Sequence, residues 1–203
     1  MQAPSPLLAA ENLACRRGER LLFRRLSLRL ESGGACHVKG ANGAGKTTLI
    51  RALARLTTPY AGSVTREGAL ALLDERTGLD PDLPLGRALA FWFALDDAGD
   101  SAAIMKRLRL EALAEVPVRY LSTGQKKRAA LARVLGQAAS VWLLDEPLSG
   151  LDTASQALVS ALVREHCAQG GIALIASHQP LDVPGMESFA IEAFAPAPEE
   201  DHA

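Results

Sequence analysis

The stretch that decides the fold is ACHVKGANGAGKTTLIRALAR, residues 35–55. Its first five residues follow Gly33-Gly34 and form a short run that predicts a strand feeding a loop. Gly40 to Thr47 then fit the pattern G-x-x-x-x-G-K followed by Ser or Thr. Such a loop cradles phosphates with backbone N–H groups while its lysine neutralises them. Gly40, Gly43 and Gly45 let those amides approach an anion without side-chain obstruction. Ala41, Asn42, Ala44 and Thr48 complete the predicted nucleotide-binding stretch. Lys46 is the expected contact of the β- and γ-phosphates, and the Thr47 hydroxyl the expected ligand of Mg2+. A helix from about Gly45 to Arg55 starts where its N-terminal dipole meets phosphate. Taken alone, the same residues describe a glycine-rich turn with an exposed lysine.

Further along, residues 121–128 read LSTGQKKR and residues 141–152 read VWLLDEPLSGLD. Four apolar residues, Val141 to Leu144, deliver Asp145 and Glu146 to a predicted strand end. Asp145 is the expected acidic partner of Thr47, holding Mg2+ through water. Glu146 lies one step beyond, where a carboxylate can polarise an attacking water. The bland alternative is a solvated acidic turn. A second apolar run, IALIA at 172–176, leads to His178, and both runs fit strands covered by helices on both faces. Phosphoryl transfer asks for charge neutralisation and positioning far more than for covalent help.

In this order, the phosphate loop, LSTGQ, an apolar strand ending in Asp-Glu, SGLD and a late His178 resemble the ATP-binding cassette (ABC) ATPases, the nucleotide engines of ABC transporters. The resemblance implies an α/β P-loop nucleoside triphosphate hydrolase with an N-terminal β subdomain. It implies one ATPase domain over 1–195, a small helical subdomain at about 78–138, and ATP and Mg2+ as cofactors. LSTGQ resembles the family signature LSGGQ, with Thr123 in place of the first glycine. By that resemblance Ser122, Gly124 and Gln125 reach the γ-phosphate held by the opposite subunit, which implies a homodimer through two ATP sites. A helix N-capped by Ser122 or Thr123 is compatible with this role. Ser149 to Asp152 match the D-loop that crosses such an interface, and His178 stands at the family's H-loop position, against the γ-phosphate. Arg17 falls where many members carry an adenine-stacking aromatic. A guanidinium plane can stack on a base as well; a surface arginine is the alternative. One element is missing: the glutamine that touches Mg2+ after the strand ending near Leu73 is absent from LLDERTGLD. Glu75 or Arg76 falls at its position, and only Glu75 can act as an oxygen ligand. A Glu75–Arg76 pair in a solvated loop is the competing reading.

The chain has 203 residues, long enough for one sizeable core or at most two small domains. Its net charge of −1 provides no global basic field for nucleic acid or anionic lipid. No apolar run approaches the roughly 18–20 residues of a membrane helix. The start, MQAPSPLLAAENLACRRGER, has no basic region ahead of its apolar residues, so no signal peptide is expected. Cys15, Cys36 and Cys167 are dispersed, which suggests reduced thiols in a soluble cytoplasmic protein. Strands are expected at Leu7–Leu13, through the alternating Leu26, Leu28 and Leu30, and around Ser63–Leu73. Helices are expected at Leu85–Leu95, Ala102–Leu113, Thr123–Gln137 and about Thr153–Gln169. In the third of these Leu131, Leu135 and Ala138 share a face. Lys126, Lys127 and Arg133 lie largely off it, and Lys126 to Arg128 read as a solvated face rather than a nucleic-acid patch. The tail PAPEEDHA, 196–203, is expected to be disordered.

Within the family, ENLACRRGERLLFRRLSLRL, LSTGQKKRAALARV and GGIALIASHQPL are similar to the cytochrome c maturation, or haem exporter, ATP-binding subunits. The similarity runs from about Leu7 to Phe194 and is weakest across 67–118. It implies a small integral membrane permease subunit as partner and haem-handling membrane proteins beyond it. The implied place is peripheral, on the cytoplasmic face of the inner membrane, with ATP hydrolysis driving haem export or haem-chaperone release. No C-x-x-C-H motif occurs, so the ATPase itself is not expected to carry haem. Two other readings stay open. An ATPase of another small exporter, for lipid, drug or polysaccharide, would differ in its membrane partner. A non-transport cassette acting on DNA or ribosomes would usually show paired cassettes, long inserts or basic arms.

Overall fold

A computed structural model describes residues 5–196. β1 (Leu7–Arg17) and β2 (Arg20–Glu31) form an antiparallel hairpin, with Gly18 supplying a positive φ at its two-residue turn. β4 (Ala61–Glu67) joins the other edge of β1, giving the order β2-β1-β4. Leu8, Leu13, Phe23 and Leu26 are fully buried beneath this small sheet. Each such side chain stabilises the fold by about 1.5–3 kcal/mol on leaving water.

The larger sheet is parallel. It contains β3 (Ala35–Lys39), β5 (Leu70–Leu73), β6 (Val141–Asp145), β7 (Ile172–Ala176) and β8 (Glu187–Ala190), in the order β5-β6-β7-β3-β8. Successive side chains of a strand face opposite sides. Val141 and Leu143 therefore join the core shared with the antiparallel sheet and α1 (Lys46–Leu53), whereas Trp142 and Leu144 join the core under α4 (Thr123–Gly136) and α5 (Thr153–Ala168). Both faces are covered, which is why these strands read as unbroken apolar runs. Because all five strands are parallel, their C-terminal ends share one edge. The phosphate loop, residues 74–76, Glu146, His178 and the turn at 191–194 all leave the sheet there.

The segment between β5 and β6 is helical. α2 (Leu85–Leu95) matches its expected bounds, and α4 starts at Thr123 as expected. The expected helix Ala102–Leu113 does not run through: α3 covers Ser101–Arg107, and a separate 3-10 turn covers Glu111–Leu113. Leu108 and Leu110 are both fully buried, and residues two apart point to different sides of a helix. The chain leaves the helix to bury both, with Arg109 at φ 53. The expected single segment Ser63–Leu73 is two strands in two sheets, divided at Gly68, φ 103.

The solvated face expected for Lys126 to Arg128 is also corrected. Lys127 is half-buried; burial lowers its pKa, and the charges of Asp145, Glu146, Glu75 and Asp74 act the other way. Arg128 Nη1 donates to the carbonyls of Leu108 and Arg109 at 2.9 and 3.0 Å. Arg133 lies under the Trp92 ring, 3.7 Å from its centroid. α4 buries Ala129 to Ala132 almost all round, and Ala138 is exposed beyond its end. The tail expectation for 197–203 falls outside the described residues.

Candidate functional site

β3 ends at Lys39 and the loop turns back at once into α1. Gly40, Gly43 and Gly45 all have positive φ (149, 82 and 109), a region that favours glycine. Gly45 also packs where a Cβ would stand 3.2–3.3 Å from Phe23 and Leu22 side chains. Lys46 is 6% exposed, and its Nζ donates to the carbonyls of Gly40 (2.7 Å) and Ala41 (3.2 Å). Its charge is met by Glu146, whose Oε1 lies 3.6 Å away. Arg17, Asn42, Thr48 and Glu75 line a cavity of about 220 Å3 over the loop, together with Lys46 and Glu146.

Asp145 closes β6 on the strand beyond. It is 3% exposed, and burial raises its carboxyl above the ordinary carboxylate range. A hydrogen bond with the Thr47 side chain acts the other way, the charges of Glu146 and Glu75 push further up, and Lys127 opposes them. Its Oδ1 is buried with no hydrogen-bond partner among the described residues. A buried acceptor left unpaired costs about 1–3 kcal/mol. A hard divalent cation takes oxygens of this kind, so Asp145 and Thr47 fit Mg2+. Among the described residues no group of three or more His, Cys, Asp or Glu forms a metal cage.

Glu146 follows with φ 45, a strained value for a non-glycine residue, and its N–H donates to the Ala176 carbonyl at 2.8 Å. This places its carboxylate between Lys46 and His178, whose Nδ1 lies 2.8 Å from Glu146 Oε2. Gln179 Nε2 approaches His178 Nε2 at 3.4 Å, while Gln179 Oε1 accepts from Gln156 Nε2 at 3.2 Å. Gln156 Nε2 also donates to the Leu151 carbonyl at 3.1 Å. The Gln179 amide nitrogen can only donate, so His178 Nε2 accepts at that contact and Nδ1 is left to donate to Glu146. The sequence singled out His178 but not these two glutamines. Gln179 was within sight as the residue after the histidine; Gln156 carried no local signal.

Ser122 and Gln125 form a reciprocal cap at the start of α4. Ser122 Oγ accepts from Gln125 N–H (3.3 Å), and Gln125 Oε1 accepts from Ser122 N–H (2.8 Å). A Cβ on Gly124 would stand 2.6 Å from the Gly150 carbonyl, so LSTGQ and SGLD are pressed together within the chain. Asp152 then caps α5, accepting from Ser155 N–H at 2.7 Å. Ser122, Gly124 and Gln125 line neither cavity that surrounds Thr47. The fold thus gathers Lys46, Thr47, Asp145, Glu146, His178, Arg17 and Glu75, and leaves the LSTGQ residues elsewhere. Among the described residues Glu75 forms no ion pair with Arg76, and the Arg76 backbone N–H donates to Asp74 Oδ1 at 2.8 Å. Both Arg17 and Glu75 also line a neighbouring cavity of about 510 Å3 with Arg16, Arg51 and Thr58.

Residues 23–149 match the family model described as ABC transporter. The chain is 53% identical over 189 residues to a cytochrome c biogenesis ATP-binding export protein, CcmA, of Novosphingobium aromaticivorans, covering 93% of this chain and 97% of that one. Among solved structures, a putative ABC transporter ATP-binding protein from Pyrococcus furiosus superposes with TM-score 0.80 at 22% identity, covering 94% of this chain and 100% of that one. The dimeric structure of a bacterial ABC transporter cassette matches with TM-score 0.75 at 19% identity, covering 85% and 88%. At these identities the two structures speak for the fold alone.

Proposed function

The chain belongs to the ABC transporter family of ATP-binding proteins, and from that premise we propose that it is the ATP-hydrolysing subunit of an ABC system serving cytochrome c biogenesis. The observation that carries the ATPase reading is the convergence of Lys46, Thr47, Asp145, Glu146 and His178 at one edge of the parallel sheet. The 53% identical relative, a cytochrome c biogenesis ATP-binding export protein, supports the place in cytochrome c biogenesis; within that place the role we propose is haem export or haem-chaperone release. Residues 1–195 act as one ATPase domain with a helical insert at about 78–138.

ATP is bound by the loop Gly40–Thr48, its β- and γ-phosphates taking the Lys46 ammonium that now serves the loop carbonyls. Arg17 lines the cavity over the loop, and its guanidinium can stack on the base. Thr47 and Asp145 hold Mg2+, with Glu75 as a third oxygen donor. That ion supplies charge neutralisation on the phosphate oxygens. Glu146 accepts the proton of the attacking water, and the His178 imidazole keeps the Glu146 carboxylate oriented through its Nδ1–H. Ser122, Gly124 and Gln125 complete the site of a second copy, so the working unit is a homodimer. The partner is a small membrane permease subunit, and the protein sits peripherally on the cytoplasmic membrane face. Among the described residues no helix is long and apolar enough to cross a membrane.

The test is co-purification with tagged chain, followed by ATPase assay of the assembly. Membrane subunits of the cytochrome c biogenesis system are expected in the eluate; subunits of an unrelated exporter would refute that assignment. Mixing Ser122→Arg chains with Lys46→Ala chains should restore at most one complete site of two. Full activity from a demonstrated monomer would refute the shared-site reading.

A further inference from the structure

We propose that Glu192, in the turn that follows the last strand, is a positioning residue for the phosphate loop. β8 is an edge strand paired in parallel with β3, with Ala190 opposite Lys39. Gly40 and Ile191 therefore leave the sheet side by side. The turn Ile191–Phe194 is anchored from below: Ile191 is 1% exposed, and the Phe189 and Phe194 rings meet edge to face at 5.6 Å. Lys39 Nζ adds a hydrogen bond to Ser188 Oγ at 3.0 Å. From this fixed base Glu192 Oε1 accepts the Ala41 N–H at 2.6 Å.

The peptide that Glu192 grips is the one that holds Lys46. The Gly40 carbonyl and the Ala41 N–H belong to one planar unit and point in opposite directions. Glu192 takes the N–H end, and Lys46 Nζ donates to the carbonyl end at 2.7 Å. The orientation of this plane, and with it the rest position of the lysine, is thus set from both sides. A charged acceptor polarises the peptide and strengthens the bond at its far end. The same contact accounts for Gly40. A Cβ there would stand 2.8 Å from Glu192 Oε1, 2.9 Å from Oε2 and 2.8 Å from Ile191 Cγ2, so a side chain at this position would push the carboxylate off Ala41. A carboxylate beside an anion-binding loop works against phosphate by charge alone. Its benefit must lie in the geometry it imposes.

The inference rests on the reading of Gly40–Thr48 as the nucleotide site, and the experiment separates the two. Mg·ATP binding to the full chain is measured by calorimetry for wild type, Lys46→Ala, Glu192→Ala and Glu192→Gln, with nucleotide-free melting temperatures alongside. Glu192→Ala should weaken binding about tenfold. Glu192→Gln keeps a carbonyl acceptor for Ala41 and should stay within about threefold of wild type. In the membrane assembly, Glu192→Ala should raise KM for ATP and leave kcat within about twofold, the pattern of lost uniform binding. Wild-type affinity in Glu192→Ala would overturn the proposal. So would tighter binding in both variants, since the carboxylate would then only repel. A loss in Glu192→Ala that tracks a lowered melting temperature and is not rescued in Glu192→Gln would make the residue merely structural. If wild type and Lys46→Ala both fail to bind Mg·ATP, the nucleotide-site reading itself falls, and this inference with it.

Discussion

Glu146→Gln should do two things at once: suppress turnover and tighten ATP binding. The first follows from removing the carboxylate that accepts the water proton, worth about 10²–10⁴-fold in rate. That corresponds to about 3–5 kcal/mol of barrier. The second follows from the Lys46–Glu146 contact, 3.6 Å between Nζ and Oε1. At an effective dielectric constant of about 20, opposite charges at that distance attract by about 5 kcal/mol before other costs. The Glu146 side chain is 25% exposed, so solvent screening and the cost of holding both chains cut the net figure to about 1 kcal/mol. ATP must displace this pairing to recruit Lys46, so removing it should lower Kd about fivefold. The amide oxygen introduced by the substitution would still accept from His178, which keeps the loop edge in place. The assays are steady-state hydrolysis by the assembled complex and calorimetric ATP binding to the full chain, at two ionic strengths. The affinity gain should shrink as salt screens the pair. Hydrolysis within about tenfold of wild type would refute the general-base role, and unchanged or weaker binding would refute the self-pairing argument.

Glu75→Ala should impair Mg2+-dependent turnover and flatten its dependence on metal concentration, because a carboxylate beside the γ-phosphate is tolerable only while Mg2+ and Lys46 offset its charge. Unchanged Mg2+ dependence would decide for a solvated loop residue. His37 is 3% exposed with Nε2 2.9 Å from the Ser177 carbonyl, and burial holds its pKa below the ordinary 6.5. The unfolded chain therefore binds the proton more readily, so stability is full above pH 6.5 and falls as pH drops through the unfolded value. One such group can contribute at most about 1.4 kcal/mol per pH unit. Melting curves from pH 8 to 5 should show this slope, and His37→Gln should reduce it; an identical slope would exclude His37 as its source. Ser122→Ala should lose the reciprocal cap of α4 at a cost of about 1 kcal/mol. For a chain of this size that is a fall of about 2–4 °C in Tm. No change in melting would mean that packing alone sets the start of α4.

The sequence by itself determined where the phosphate loop, Asp145, Glu146 and His178 lie, at the ends of parallel strands. Each lies at the end of a short apolar run or inside a contiguous pattern, where backbone geometry follows from neighbours in the chain. It also determined that the central strands are buried on both faces, since Val141–Leu144 and Ile172–Ala176 have no polar alternation. Other features were beyond its reach. Lys127 looked like one of three surface cations, and only the packing of α4 half-buried it within the field of four carboxylates. The helix after Ala102 looked continuous, and only the burial of both Leu108 and Leu110 broke it. Gln156 reaches His178 through Gln179 because α5 lies beside the β7 loop. Glu192 stands 151 positions from the amide it holds. The physical reason is common to all of these. Spacing along the chain fixes torsions and faces over a few residues. Parallel strand pairing, driven by burial on two faces, decides which distant strand ends become neighbours, and so which side chains share a peptide, a proton or a charge.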